Sequence, residues 1–247
     1  MRKHLFLTAS IALIALLLLA GCAPKPQALR LGEPVWQDGE AHQFAVLDKD
    51  GQGVGTARFR IQAGGENAGP QGWTFVREIS AAGVFETVQV EVSMPGYRPI
   101  HSQLHRTIQD EGSEAVEAAF QGSTVQLTLT NRQQVTTYEQ VNVPSDIRDE
   151  RTLPMIVRTL PLEPGYAAQI NSFLPVAGAL ESVMVQVKKQ ERLTVPAGDF
   201  DTWLVELKYP KSTTRLWIGQ ASPHPLVKLE NGLSGATFVL EVYAPGG

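Results

Sequence analysis

Gly51-Gln-Gly-Val-Gly-Thr-Ala-Arg-Phe-Arg-Ile-Gln62 is the stretch that decides the fold class. Ala57, Phe59 and Ile61 alternate with Arg58, Arg60 and Gln62, so an extended chain puts its apolar groups on one face and its polar groups on the other. The three glycines before them follow Asp48-Lys-Asp50 and supply the turn that feeds the strand. The same alternation recurs in Val88, Val90 and Val92, in Val125, Leu127 and Leu129, in Val183, Val185 and Val187, and in Trp203, Val205, Leu207 and Tyr209. Strands with one buried and one wet face belong to antiparallel sheets; parallel strands read as unbroken apolar runs. Turn chemistry separates them at Gly64–Pro70, Ser80–Gly83 and Pro196–Asp199. Roughly ten to twelve strands at hairpin spacing give a mainly β fold, a large curved antiparallel sheet or open half-barrel with one or two short helices.

Two segments interrupt the pattern. Asp110–Ala119 is acidic and Ala-rich, and reads as a polar hairpin loop, the alternative being a short helical turn capped by Ser113. Asp149–Leu160 is the better helix. Pro154 suits a first turn, Leu153, Ile156, Val157 and Leu160 form one apolar stripe, and Pro161 ends it. Such a helix, set between two groups of hairpins, is expected to lie on the concave sheet face as a plug or lid.

The amino terminus carries an address. Arg2 and Lys3 precede Leu5–Ala20, an apolar run whose polar members are Thr8 and Ser10. A run of this length is marginal for spanning about 30 Å of hydrocarbon, and Gly21-Cys22 follows it in place of a stop-transfer cluster, so it reads as a secretory leader. Leu19-Ala-Gly-Cys22 resembles the bacterial lipobox, which implies cleavage before Cys22, S-lipidation of Cys22 and acylation of its new amino group. Cys22 is the one cysteine of the chain. Three acyl chains, at about 0.8 kcal/mol per buried CH₂, hold far more firmly than one. The expected organisation is a leader at 1–21, a lipidated Cys22 and flexible tether at 22–35, and a β-rich domain at 36–247. One sheet and two lobes meeting near 146–160 are both compatible with it. Ala23 and Pro24, with no Asp after the cysteine, suit transfer to the outer membrane of a two-membrane bacterium, or the outer leaflet of the membrane where there is only one.

Of the 247 residues, 43% are hydrophobic and 19% charged, which fits a globular chain. Its net charge of −4 becomes −6 once Arg2 and Lys3 leave with the leader, and this argues against nucleic acid as a partner. Chemistry-bearing motifs are few. Gly232-Leu-Ser-Gly235 lacks the spacing of a nucleophile elbow, and Gly51-x-Gly-x-Gly55 leads into a strand where a dinucleotide fingerprint would lead into a helix. His101 and His105 on an extended strand lie about 13 Å apart, too far to share an ion. The expectation is therefore no catalytic residues, no metal and no cofactor.

In the second half, Arg158-Thr-Leu-Pro-Leu-Glu-Pro-Gly-Tyr166, Glu191–Trp203 with its Val195-Pro-Ala-Gly-Asp-Phe200 hairpin, Leu216–Ile218 and Leu226–Lys228 resemble a family of exported bacterial β-rich proteins of unknown function. The likeness extends over residues 42–243, and more distantly to periplasmic lipoprotein carriers, whose half-barrels hold acyl chains beneath short helices. Neither resemblance brings catalytic residues. Within the hairpin, Pro196 presets the turn, Gly198 takes a positive φ, Asp199 accepts backbone hydrogen bonds and Phe200 returns to the core. The functional expectation is a non-enzymatic, membrane-anchored lipoprotein whose curved sheet binds a lipid or acyl chain or an envelope partner. Met155, Ile156, Val157, Phe173, Leu174, Trp203 and Trp217 are the candidate lining. The alternative is a structural or assembly lipoprotein with a filled core, and more remotely a hydrolase of unfamiliar type.

Overall fold

A computed structural model describes residues 26–247, so the leader and Cys22 lie outside the described residues. The chain first runs outward as a meander: β1 (Glu40–Leu47), β2 (Gly53–Ala63), β3 (Trp73–Ala81), β4 (Val84–Ser93), β5 (Arg98–Ile108), β6 (Gly112–Gln121), β7 (Thr124–Thr130) and β8 (Thr136–Asn142). It crosses through the two-residue β9 (Arg148–Asp149) and a helical segment, then returns as β10 (Ala167–Leu174), β11 (Ala179–Val195), β12 (Gly198–Lys208), β13 (Thr213–Gly219), β14 (Leu226–Glu230) and β15 (Thr237–Ala244). β15 pairs with β1, Phe44 opposite Leu240 and Val46 opposite Phe238, and fuses the two meanders into one fifteen-stranded sheet. All neighbours are antiparallel except β9 and β10, which pair in parallel at Ser172 and Phe173.

β8 and β9 are the free edges, so hydrogen bonding does not close the sheet. Side chains bring its two ends together. Phe173 on β10 packs with Ala118, Val125 and Leu127 of β6 and β7, and with Val143 and Ile147 of the crossing segment. Its ring meets Phe120 edge-on at 5.9 Å. The concave face is the main core, where Phe44, Ile61, Val90, Val92, Leu104, Val185, Leu207 and Leu216 are all essentially inaccessible.

The helical segment plugs this face as expected, but in a shorter form. A single α-turn, α1 (Leu153–Ile156), is flanked by 3-10 turns at Glu150–Thr152 and Val157–Thr159. Leu153, Ile156, Val157 and Leu160 are buried, and so are Arg151 and Arg158, leaving no wet face for a regular amphipathic helix. Thr152 and Thr159 hydroxyls donate to the carbonyls of Asp149 and Ile156, which tightens both ends.

Three further expectations change. Asp110–Ala119 is no loop: the turn is at Asp110-Glu111, and Gly112–Gln121 is a strand that buries Val116 and Ala118 on alternate positions. Among the described residues the strands number fifteen, because short segments such as β8, β9 and β14 carry too little alternation to be read. The flexible tether does not reach residue 35. Gln27 N–H donates to the Ala167 carbonyl at 2.7 Å, Gly32 N–H to the Thr159 carbonyl at 3.0 Å, and Tyr97 hydroxyl to the Gly32 carbonyl at 2.9 Å. Leu29, Leu31 and Val35 pack on the core and make this docking favourable.

Candidate functional site

The interior holds an open cavity of about 660 Å³ at the end of the sheet where β1 turns into β2, β3 into β4, and β14 into β15. Alternation on the strands positions its walls. Val46, Phe59, Ile79, Leu229 and Phe238 face inward, and Val54, Ala81, Val84 and Ala236 line the rim. Turn residues define the mouth. Asp48 accepts from the backbone N–H groups of Asp50 and Gln52 at 2.9 Å each, and Asn231 from those of Leu233 and Ser234. At Gly55 the β2 and β3 backbones approach so closely that an added Cβ would lie 2.0 Å from the Ser80 carbonyl oxygen.

One side of the cavity is charged. Glu86, in phase with Val88 and Val90, points inward and takes Arg77 Nη2 at 2.7 Å on one oxygen and Arg106 Nε at 2.8 Å on the other. Arg106 Nη1 also donates to Glu114 at 2.7 Å. Burial pushes the Glu86 pKa up, but the two guanidiniums more than offset it and hold the carboxyl below the usual carboxylate range. Glu150, at the start of the plug, and Tyr209, at the end of β12, complete this side. Burial raises the pKa of both, and each carboxylate-bearing neighbour adds to the effect: Asp149 and Glu86 on Glu150, and Glu150 and Glu181 on Tyr209. The tyrosine is a neutral hydroxyl at any physiological pH.

Two further polar clusters fix the plug. Arg158, fully buried, donates from Nη1 and Nη2 to the two Glu40 oxygens at 2.6 and 3.1 Å, from Nε to the His224 carbonyl at 2.7 Å and from Nη2 to the Pro223 carbonyl at 2.9 Å. Tyr243 hydroxyl donates to Glu40, and His42 Nε2 accepts from Leu226 N–H at 3.2 Å. Burial, then the Arg158 charge, holds the His42 pKa well below 6.5, so the imidazole is neutral. At the other end of the plug, Asp149 accepts from Ser102 at 2.7 Å and from Arg151, whose guanidinium also contacts Ser102. These bidentate contacts give the plug a single seat.

The seven residues expected to line a cavity sit elsewhere. Ile156 and Val157 are filled core, Met155 borders only a void of about 20 Å³, and Phe173 closes the seam between sheet ends, with the half-buried Leu174 beside it. Trp203 borders a shallow recess with Leu160–Glu163 and His224. Trp217 faces outward, its Nε1 donating to Glu191 at 2.7 Å and its ring 4.4 Å below Lys228. His101 pairs with Glu117 at 2.8 Å, while His105 is exposed. The signal for the residues that do meet was phase: Arg77, Glu86 and Arg106 share a face with apolar neighbours, as Glu40 and His42 do with Phe44 and Val46.

The Val195–Phe200 hairpin closes through a tight turn at Pro196-Ala197. Val195 pairs with Gly198, Gly198 has φ +128°, and the half-buried Phe200 packs against the core. Asp199 accepts from Thr194 hydroxyl at 2.6 Å and Arg192 at 3.1 Å, both side chains across the hairpin, where backbone donors were expected. Ala197 N–H then seats the tip on β15 through the Leu240 carbonyl.

The family model described as "Protein of unknown function (DUF3108)" matches residues 40–241, from the first residue of β1 into β15. The chain belongs to the DUF3108 family. No curated protein matches it. Among solved structures, a β-barrel-like protein of the DUF1849 family from Brucella abortus is similar at 11% identity and a TM-score of 0.53, over 86% of this chain and 97% of that one. A candidate lipoprotein from Parabacteroides distasonis is 14% identical with a TM-score of 0.32, over 88% of this chain and 100% of that one. A candidate exported protein of YmcC-like fold from Bacteroides fragilis is 13% identical with a TM-score of 0.30, over 84% of this chain and 96% of that one. The Brucella protein shares the fold of this DUF3108 member.

Proposed function

We propose that this DUF3108 protein is an extracytoplasmic lipoprotein, held on a membrane by acyl groups on Cys22, that binds an apolar chain without catalysing a reaction. The observation that carries the reading is the 660 Å³ cavity. Its volume falls within the roughly 300–1,000 Å³ of small-molecule sites, and it combines apolar walls with a few converging polar groups. Burying ten methylenes there is worth about 8 kcal/mol, before the cost of association. The leader and the Leu19–Cys22 motif support the anchor and the address. Ile79→Asp places a carboxyl in the apolar wall. Uptake of an acyl probe by this variant should fall at least about tenfold with the fold intact; undiminished uptake would remove the cavity from the account.

A second reading, partner binding through a sheet edge, is favoured by β8. This seven-residue edge strand has neither Lys nor Pro, and Tyr138 on it is 77% exposed.

A further inference from the structure

The cavity mouth and the chain's attachment point lie at opposite ends of the sheet. Alternate turns of a meander share an end, so the β1–β2, β3–β4 and β14–β15 turns at the mouth share theirs with the β7–β8 and β10–β11 turns. β10 starts at the far end with Ala167 and runs toward the mouth end. Gln27 is paired at that far end, its N–H on the Ala167 carbonyl and its backbone parallel to Ala168. Cys22 precedes Gln27 by five residues, a reach of at most about 18 Å, so an anchor there keeps the far end next to its bilayer.

Exposed apolar side chains gather at the mouth end. Of the seven large hydrophobics exposed among the described residues, Leu233, Phe85, Val135, Val176 and Leu180 lie in or beside its turns. The far-end turns at 64–72, 94–97 and 220–225 hold none. Leu233 is 82% exposed and its turn is fixed: Asn231 accepts from its N–H at 2.9 Å, while Asn231, Ser234 and Ala236 line the cavity. Phe85, 55% exposed, follows Val84 of the cavity rim. Leu233, Phe85, Val135 and Val176 belong to four separate turns, three or more strands apart along the sheet, or about 14 Å at 4.8 Å per strand. A folded partner needs one continuous, shape-matched patch, whereas the apolar boundary of a bilayer accepts scattered knobs.

We infer that the mouth end docks on a lipid surface facing away from the anchoring bilayer, with Leu233 and Phe85 entering its apolar boundary and the cavity exchanging its acyl chain there. The inference rests on the cavity being a site for apolar chains and on the anchor at Cys22. Because its turn already holds Leu233 outward, docking orders little further chain.

The test uses the full acylated chain in phosphatidylcholine vesicles, with a fluorescent maleimide on Gln52→Cys at the mouth end or on Gln71→Cys at the far end, both exposed positions. In the lipidated chain the Cys22 sulfur is occupied, so each variant takes a single label. A second population of phosphatidylcholine vesicles is added, and nitroxide lipid is placed in one population at a time. Nitroxide in the added vesicles should quench the Gln52→Cys label, and nitroxide in the anchoring bilayer the Gln71→Cys label. Leu233→Ser combined with Phe85→Ser should raise the added lipid needed for half-maximal quenching at least about tenfold. Labelling of the same variant by a photoreactive fatty acid in solution should stay unchanged, which shows that fold and cavity are intact. Quenching of the Gln52→Cys label from the anchoring bilayer alone, or from neither population, overturns the docking inference and leaves the apolar site standing; the second result points to a protein partner. Docking without fatty-acid labelling of the unsubstituted chain overturns the cavity reading, and a chain that leaves its own vesicles overturns the anchor.

Discussion

Replacing Arg158 by Met should destabilise the fold severely. The guanidinium is fully buried and satisfies both oxygens of Glu40, itself 0% exposed, along with the carbonyls of Pro223 and His224. The methionine fills much of the volume but leaves Glu40 with only the Tyr243 hydroxyl and strips both carbonyls of their donor. Removing one partner of a buried pair costs about 3–5 kcal/mol, chiefly because the other charge stays uncompensated. At roughly 2–4 °C per kcal/mol for a chain of this size, the thermal midpoint should fall by about 6–20 °C. Thermal unfolding followed by near-ultraviolet circular dichroism reads the change. Glu40→Leu combined with Arg158→Met removes both charges, and the double variant should be more stable than Arg158→Met alone, with a coupling of at least about 1.5 kcal/mol. A single-variant loss below about 1 kcal/mol, or strictly additive losses, would refute the view that this pair bolts the plug to β1.

Other substitutions test the frame. Because His42 is held neutral in the folded chain, the unfolded chain takes up its proton first as the pH drops. Stability present above about pH 6.5 should therefore decline toward acid by up to about 1.4 kcal/mol per pH unit until the folded-state value is reached. Urea titrations from pH 7.5 to 5 should show a smaller decline for His42→Gln; parallel curves would contradict the assignment. Gly55→Ala drives a Cβ into the Ser80 carbonyl, and a loss of about 1–3 kcal/mol is expected in urea unfolding, against none if β2 and β3 can part without cost. Gly198→Ala forces a side chain into φ +128° and should cost about 1–3 kcal/mol, with amide exchange rising at Ala197 and Leu240 as the hairpin tip lifts from β15.

The alternating strands were legible because apolar and polar residues alternate where only one face is buried, as in Ala57–Ile61 and Val183–Val187. The plug was legible from the spacing of Leu153, Ile156, Val157 and Leu160, but its shortness was not, since burial on all sides comes from the enclosing sheet. The candidate site was missed for a definite reason. Ile156, Val157 and Phe173 pack tightest; the open volume persists beside charged residues on inward positions, where Arg77 and Arg106 both bind Glu86 and do not collapse onto the apolar wall. Phase with Val88 and Val90 marks Glu86 as inward. Its partners come from the two flanking strands and need the register to be found.

Native mass spectrometry of the chain isolated from its own membrane tests the central claim most directly. The account predicts an adduct with the mass of a single-chain lipid, one per chain, that is absent from Ile79→Asp isolated in the same way. A bare protein mass that takes up no added single-chain lipid would contradict it and turn attention to the β8 edge.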